Sequence, residues 1–373
     1  MKVKQIFANL ILPFLALVPA FGAAIGDKDD KEIDETYDYS DHVYKTLFKN
    51  THLQKASYCS YESTFYEGPL NEACPKMAFC EKNDNLKIVG IYSPSIKEKQ
   101  ISGTAFVAVD EDAKTVHVVF RGTLSPGDTV TDFVFLQCPY VPVLSNNIGY
   151  EIFENVSTSD PNGMAQAIKD HTKEETPTCE NCLVHCGVYV EFTKFINEIQ
   201  DTIEPYMKKD YKLIVTGHSL GGGYALLGGL EFLLKGYDPL LITYASLRMG
   251  DPTFNHWVDD VFDTEHIAKK VAKGSKLPFP SYSRVYQATD IVPRLPPALP
   301  GIVYTHSGLR FEITKVRLPH LKEFVVYKGA SNNDLNDAID FKLQPGVFLP
   351  YYQHTHQFIR IAWPCDDSDM PFP

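Results

Sequence analysis

KLIVTGHSLGGGYALLGGLEFLLK, residues 212–235, is the stretch that decides the fold. It opens with a compact apolar run, Lys212–Thr216, and passes through a glycine-rich turn into a helical stretch, Gly221–Lys235, that ends at Gly236. A second apolar run, Leu240–Ala245, follows. Strand, helix and strand in this order are typical of a parallel sheet covered by helices, so the stretch predicts an α/β fold.

Other segments extend this sheet. Those rich in β-branched and aromatic residues are Leu86–Tyr92, Gly103–Val109, Val116–Phe120 and Ser283–Ala288. Ahead of them, the apolar spacing after Asp41 predicts a first helix that ends near Cys59. The predicted architecture is a mostly parallel central sheet flanked by helices.

Ser219 stands at the centre of Gly-x-Ser-x-Gly, between the predicted strand and helix. A sharp turn at this place exposes a serine hydroxyl, and the glycines allow neighbouring chain segments to approach. The following helix directs its first amides at the same point, so the Leu220 amide is a candidate oxyanion donor. Thr123, just after the strand Val116–Phe120, is the second candidate donor. Without this context the pattern would indicate only a glycine-rich loop.

Four motifs resemble the class 3, fungal-type triacylglycerol lipase family in content and order. They are Val119–Thr123, His185-x-Gly187-Val188, Gly217–Gly222 and Asp290–Pro297, and the resemblance extends over roughly residues 45–365. It implies an α/β-hydrolase-type fold in which serine, aspartate and histidine act in that chain order. It also implies a lid over the active site.

Asp290 is the candidate acid, because it follows the strand Ser283–Ala288 and a proline-rich segment stiffens the chain beyond it. An aspartate that only caps a turn is the alternative. Among the later histidines, His354 fits the family's spacing to a phenylalanine and a cysteine better than His356 does. On an extended segment these two side chains would face opposite ways, so only one could meet Ser219. A metal site made by the pair is a further alternative.

The segment after Thr123 is the candidate lid. It is too apolar for a solvated loop, and the residues we assign to the lid are Phe133, Val134, Phe135 and Leu136. Over residues 128–144 the hypothesis is interfacial activation, because lipid would cover apolar surface that costs roughly 25 cal/mol per Å² in water. Packing of these residues in the core is the alternative. The stretch 145–182 is an insertion relative to the family, with no predicted role.

Residues 1–22 have the pattern of a secretory signal peptide, with Lys2 and Lys4, a short apolar run and small residues after it. A membrane anchor is the alternative, but the run is shorter than the roughly 20 residues that a bilayer span needs. Residues 23–44 are predicted to be an acidic mobile arm or pro-segment, and residues 45–373 a single lipase-like catalytic domain. We therefore expect a secreted protein without a transmembrane anchor.

The cysteines fit the oxidising environment that secreted proteins pass through. All of them are disulfide candidates, and the sequence leaves their pairing open. They are Cys59, Cys74, Cys80, Cys138, Cys179, Cys182, Cys186 and Cys365. Zinc binding by Cys179, Cys182, His185 and Cys186 is the weaker alternative. Asn155 is a candidate glycosylation site. The formal charge of −12 argues against a nucleic-acid partner.

These patterns predict a secreted triacylglycerol lipase that works through an acyl-enzyme intermediate on lipid esters at an oil–water or membrane interface. The expected protein is a monomer with no cofactor and no metal. Two alternatives stay open: an esterase for soluble or phenolic esters, and a noncatalytic binding protein of the same fold.

Overall fold

A nine-stranded sheet forms the centre of the protein. The structure is a computed structural model that describes residues 35–93, 105–123, 136–154, 156, 160–172, 179–297, 301–331 and 350–368. The strands are β1 Gly68–Pro69, β2 Leu86–Tyr92, β3 Ala105–Asp110, β4 Thr115–Phe120, β5 Gln137–Pro139, β6 Leu183–His185, β7 Lys212–His218, β8 Pro239–Tyr244, β9 Ser281–Gln287, β10 Leu309–Ile313, β11 Val325–Ala330, β12 His356–Gln357 and β13 Ile359–Arg360. The large sheet has the order β1-β2-β3-β4-β7-β8-β9-β10-β11, while β5–β6 and β12–β13 form two small antiparallel pairs.

The five strands at the centre of the sheet are parallel. β4 pairs with β7, β7 with β8, β8 with β9, and β9 with β10 in parallel register. The flanking strands β1 to β3 on one side and β11 on the other pair antiparallel. Every residue of β8 is buried, as expected for a strand covered on both faces. The predicted α/β fold is confirmed.

Helices cover both faces of this sheet. They are α1 Asp41–Ser57, α2 Leu70–Ala73, α3 Ala78–Glu81, α4 Val143–Asn146, α5 Pro161–His171, α6 Cys186–Thr193, α7 Ile196–Met207, α8 Leu220–Leu234, α9 Pro252–Val261, α10 Thr264–Ala272 and α11 Pro350–Thr355, with 3-10 turns at Tyr150–Phe153, Val292–Arg294 and Lys322–Phe324. Side chains of the sheet pack into two separate hydrophobic core clusters. Val215 packs in the cluster of Leu227 from α8, whereas Ile242 packs in the cluster of Leu47 from α1. None of the described helices is long and apolar enough to cross a membrane.

The first helix begins at Asp41, as the sequence predicts, and the Ser40 side chain caps it by accepting from the amide of Val43. Residues 41–44, the end of the predicted mobile arm, are therefore helical, and Tyr39 before them is buried. The rest of the arm up to residue 34, the predicted signal peptide and Asn155 lie outside the described residues. The division into domains stays a prediction.

All eight cysteines lie in the described part of the chain, and six of them form disulfides. The pairs are Cys59–Cys365, Cys74–Cys80 and Cys179–Cys182. Cys138 and Cys186 are buried thiols. Cys179 and Cys182 thus pair with each other instead of contributing to a zinc site. Among the described residues no group of three or more candidate ligands could hold a metal ion.

Candidate active site

Ser219 occupies a strained turn between β7 and α8. Its backbone angles are φ 58° and ψ −127°, a positive φ that is uncommon for a residue with a side chain. The Ser219 amide donates to the carbonyl of Tyr244 at 3.0 Å, and the amide of Gly222 donates to the Ser219 carbonyl at 2.9 Å. Both bonds hold the turn at the carboxyl end of the parallel strands. This is the geometry of a nucleophile elbow.

The glycines around Ser219 are required by close backbone contacts. A Cβ on Gly217 would lie 1.9 Å from the carbonyl oxygen of Gly221. A Cβ on Gly221 would lie 2.2 Å from the carbonyl oxygen of Phe120 at the end of β4. Backbone atoms cannot give way at such distances. The pattern Gly-x-Ser-x-Gly therefore allows α8 to start directly beside β4 and β7.

One predicted oxyanion donor, Leu220, directly follows Ser219 in the chain, and the other, Thr123, follows a residue that approaches the elbow in space. A Cβ on Gly122 would lie 2.9 Å from the Cβ of Ser219, so the loop that carries Thr123 packs against the serine. Leu220 is the first residue of α8, and the first amides of a helix have no partner within the helix. Donation to a substrate oxygen by Thr123 and Leu220 stays a prediction.

The structure brings Asp290 and His354 together. The Nδ1 atom of His354 lies 3.0 Å from Oδ2 of Asp290, and both side chains are buried. The other oxygen, Oδ1 of Asp290, accepts from the amide of Val292 at 3.0 Å. Asp290 follows β9, and the 3-10 turn that begins at Val292 supplies this amide. The carboxylate is thus fixed from one side and orients the imidazole on the other.

His356 lies elsewhere. Its ring stacks on Tyr352 with 3.7 Å between the centroids, and its Nδ1 atom is 2.8 Å from the carbonyl oxygen of Tyr352. The expectation of an extended segment is wrong here, because His354 belongs to the short helix α11, and β12 begins at His356. The chain leaves the helix between the two histidines, and of the two only His354 contacts Asp290.

The two earlier histidines that follow Asp290 make structural contacts. The Nε2 atom of His306 lies 2.6 Å from the carbonyl oxygen of Pro293. The Nδ1 atom of His320 accepts from the amide of Phe358 at 3.1 Å. Both rings are thereby committed to backbone groups.

Ser219 and His354 are linked through the residue that precedes the serine. Among the described residues no hydrogen bond joins the Ser219 hydroxyl to His354, and such bonds often tighten only when substrate binds. However, the rings of His218 and His354 have centroids 4.8 Å apart, and Nε2 of His218 lies 2.8 Å from the carbonyl oxygen of His354. The sequence pattern predicts no role for His218, although its place beside the nucleophile is a signal.

His218 also contacts Tyr58, the residue that caps the C-terminus of α1. The Tyr58 hydroxyl lies 2.6 Å from Nδ1 of His218. Burial lowers the pKa of His218 well below its ordinary value of 6.5, and the neighbouring His354 lowers it further. His218 is therefore a neutral imidazole between Tyr58 and His354.

The end of the predicted lid region is anchored in the body of the protein. The carbonyl of Leu136 accepts from the amide of Cys186 at 2.9 Å and from the hydroxyl of Tyr304 at 3.2 Å. Phe133, Val134 and Phe135 lie outside the described residues. Within the predicted range 128–144, residues 136–144 thus pack against the protein, and the lid hypothesis rests on residues 128–135.

A buried carboxylate in α8 binds the segment that comes after Leu136 in the chain. Glu231 accepts hydrogen bonds from the Tyr140 hydroxyl at 2.8 Å and from the amides of Val143 at 2.8 Å and Leu144 at 3.0 Å. Burial raises the pKa of Glu231 to about 7, against the opposing effect of these donors. The sequence pattern does not predict these contacts of Glu231. A lone glutamate inside an otherwise apolar helix is their only signal.

A parallel sheet with a strained serine between strand and helix, and a buried Asp–His pair beyond it, defines the α/β-hydrolase class. Residues 117–299 match the family described as "Lipase (class 3)". The matched residues include Ser219 and Asp290, and the similarity to individual relatives extends over a larger part of the chain.

Individual relatives agree with this assignment. LIH1 of Saccharomyces cerevisiae is 29% identical over 271 residues, which cover 70% of this chain and 74% of the yeast protein. The lipase of Rhizomucor miehei is 28% identical over 242 residues, which cover 63% of this chain and 50% of that protein. The chain thus spans half the length of this relative. The crystal structure of Lip2 lipase from Yarrowia lipolytica matches with a TM-score of 0.62 at 24% identity, covering 87% of this chain and 97% of that chain, and this likeness concerns the fold.

Proposed function

We propose that this protein is a secreted serine hydrolase that cleaves the carboxylic esters of triacylglycerols. The observation that carries the proposal is the buried hydrogen bond between Asp290 and His354, beside the strained turn of Ser219. A serine needs a base and the base needs an orienting acid, and these three residues have the types and positions for that chemistry.

In the proposed mechanism the Ser219 hydroxyl attacks the ester carbonyl while His354 takes its proton. The amides of Thr123 and Leu220 stabilise the negative charge that develops on the carbonyl oxygen. His354 then gives the proton to the departing alcohol, which leaves an acyl group on Ser219. Water, deprotonated by His354, attacks the acyl group, and His354 returns this proton to the Ser219 oxygen as the bond to the acyl carbon breaks and the fatty acid is released. Asp290 holds the Nδ1–H of His354 throughout.

Two features favour a lipid ester over a soluble one. The relative from Rhizomucor miehei is named a lipase. The segment after Thr123 carries Phe133, Val134 and Phe135, an apolar run of the kind that contacts lipid. The proposed place of action is outside the cell, because the chain begins with the pattern of a signal peptide.

Rates on an emulsified triacylglycerol and on a short-chain soluble ester, each measured across its solubility limit, test the proposal. We expect the rate to rise sharply where an interface forms, and Ser219→Ala to abolish both activities. Turnover of the soluble ester with no rise at the interface would instead favour the soluble esterase. Absence of turnover on either substrate would favour a binding protein.

A further inference from the structure

Two side chains and one backbone carbonyl form a continuous hydrogen-bonded chain behind the proposed site. Tyr58 contacts Nδ1 of His218 at 2.6 Å, and Nε2 of His218 contacts the backbone carbonyl of His354 at 2.8 Å. All three residues are buried. The chain therefore joins the end of α1 to the elbow and then to α11, three parts of the fold that are far apart in sequence.

The direction of these hydrogen bonds follows from the groups involved. A carbonyl oxygen can only accept, so Nε2 of His218 must carry a hydrogen. A neutral imidazole carries one hydrogen, which leaves Nδ1 of His218 as an acceptor. The Tyr58 hydroxyl is then the donor. Tyr58 thus selects the tautomer of His218 that can donate to His354.

We propose that Tyr58 and His218 are positioning residues, which fix the backbone of His354 relative to Ser219. This inference rests on the proposed function. The imidazole of His354 is held at Nδ1 by Asp290, and its main chain is held by His218, the residue directly before Ser219. The two contacts together set where the free Nε2 atom of His354 points.

Such positioning has a large effect on rate, because a misplacement of about 1 Å can cost on the order of 100-fold. Without the Tyr58 hydroxyl, the other tautomer of His218 gains population. In that tautomer Nε2 has no hydrogen, so the bond to the His354 carbonyl is lost. We expect Tyr58→Phe to lower kcat by about tenfold and to leave KM unchanged, because both side chains are buried and bonded to protein groups.

Tyr39→Phe is the matched control. Tyr39 is also a buried tyrosine, and its hydroxyl donates to a backbone carbonyl, that of Val325, at 3.1 Å. Both variants remove one buried hydroxyl, so both lower stability to a similar degree. Only Tyr58→Phe should lower kcat on a soluble ester.

A second pair of variants separates hydrogen bonding from packing. His218→Gln keeps an amide that can donate to the His354 carbonyl, whereas His218→Leu has a similar size and no donor. The glutamine variant should retain clearly more activity than the leucine variant. Equal activity in the two variants would mean that His218 acts only by filling space.

Nitrogen-15 NMR of the histidine rings tests the chain without any catalysis. In the wild-type protein His218 should show the Nε2–H tautomer, and Tyr58→Phe should shift it toward Nδ1–H. An unchanged tautomer together with an unchanged kcat would overturn the proposal, as would a rise in KM alone. A wild-type protein that cleaves no ester would refute the proposed function, while the tautomer measurement would still decide the hydrogen-bond chain.

Discussion

The imidazole Nδ1 of His354 donates to Oδ2 of Asp290 at 3.0 Å, while His356, two residues further on, stacks on Tyr352. Two histidines of the same segment thus have different environments. One is tied to a buried carboxylate beside the elbow, and the other to an aromatic ring. The next two predictions follow from this difference.

His354→Ala should lower kcat by a factor on the order of 10⁴, because no other base then takes the proton of Ser219. His356→Ala should keep activity within about tenfold of wild type, since the ring of His356 contacts Tyr352 and Thr355 and not Asp290. Steady-state kinetics of both variants on one soluble ester would check this. A larger loss in His356→Ala than in His354→Ala would contradict it.

Asp290→Asn should leave the protein folded but lower kcat by at least about 100-fold. The amide group of asparagine can present a hydrogen to Nδ1 of His354, which favours the wrong imidazole tautomer. Its amide oxygen can still accept from Val292, so the turn should survive. Circular dichroism and kcat measured on the same preparation provide the check, and near-normal turnover by a folded variant would refute the role of Asp290.

Glu231 gives the stability of the protein a pH dependence. Burial raises its pKa from 4.5 to about 7, so the folded protein holds this proton more tightly than the unfolded chain. The resulting stabilisation is complete below about pH 4.5 and is lost as the pH rises through about 7, a change on the order of 3 kcal/mol.

Glu231→Gln should therefore show a smaller fall in stability between pH 5 and pH 8, although its absolute stability is lower because one amide group faces hydrogen-bond donors. Part of the fall in stability with rising pH should remain, since burial also raises the pKa of Asp259 to about 7. Urea unfolding of both proteins at several pH values measures the difference. An identical pH dependence of the unfolding free energy in the two proteins would contradict the contribution of Glu231.

Thiol titration tests the cysteine pairing. Cys138 and Cys186 are the buried free thiols, and burial raises the pKa of the Cys138 thiol well above its usual value. The folded protein should react slowly with a thiol reagent, and the unreduced, unfolded protein should expose two thiols, which alkylation maps to these positions. Alkylation of Cys59, Cys74 or Cys179 without reduction would show that the pairing differs.

The sequence predicted what local patterns determine. The run before Ser219 is apolar and the chain after it is helical, so the strand, elbow and helix follow from neighbouring residues. Asp290 and His354 could be chosen because few residue types perform acid–base chemistry. The family's spacing from the histidine to a phenylalanine and a cysteine favoured His354 over His356.

Contacts over long distances in sequence could not be predicted. The Cys59–Cys365 disulfide joins residues 306 positions apart, and several pairings were equally compatible with the spacing. Nothing near Tyr58 in the chain indicates that it meets His218, and Glu231 finds its donors 87 and more residues away. These contacts depend on how the sheet brings α1, α8 and α11 together.

The central claim is that Ser219 is the nucleophile of an active esterase. The most direct measurement treats wild-type protein and Ser219→Ala with a serine-directed alkyl phosphonate and maps the adduct by mass spectrometry. We predict one adduct on Ser219 with loss of ester hydrolysis, and neither adduct nor hydrolysis in Ser219→Ala. Wild-type protein that hydrolyses esters but carries no adduct on Ser219, or a Ser219→Ala variant with undiminished turnover, would contradict the account.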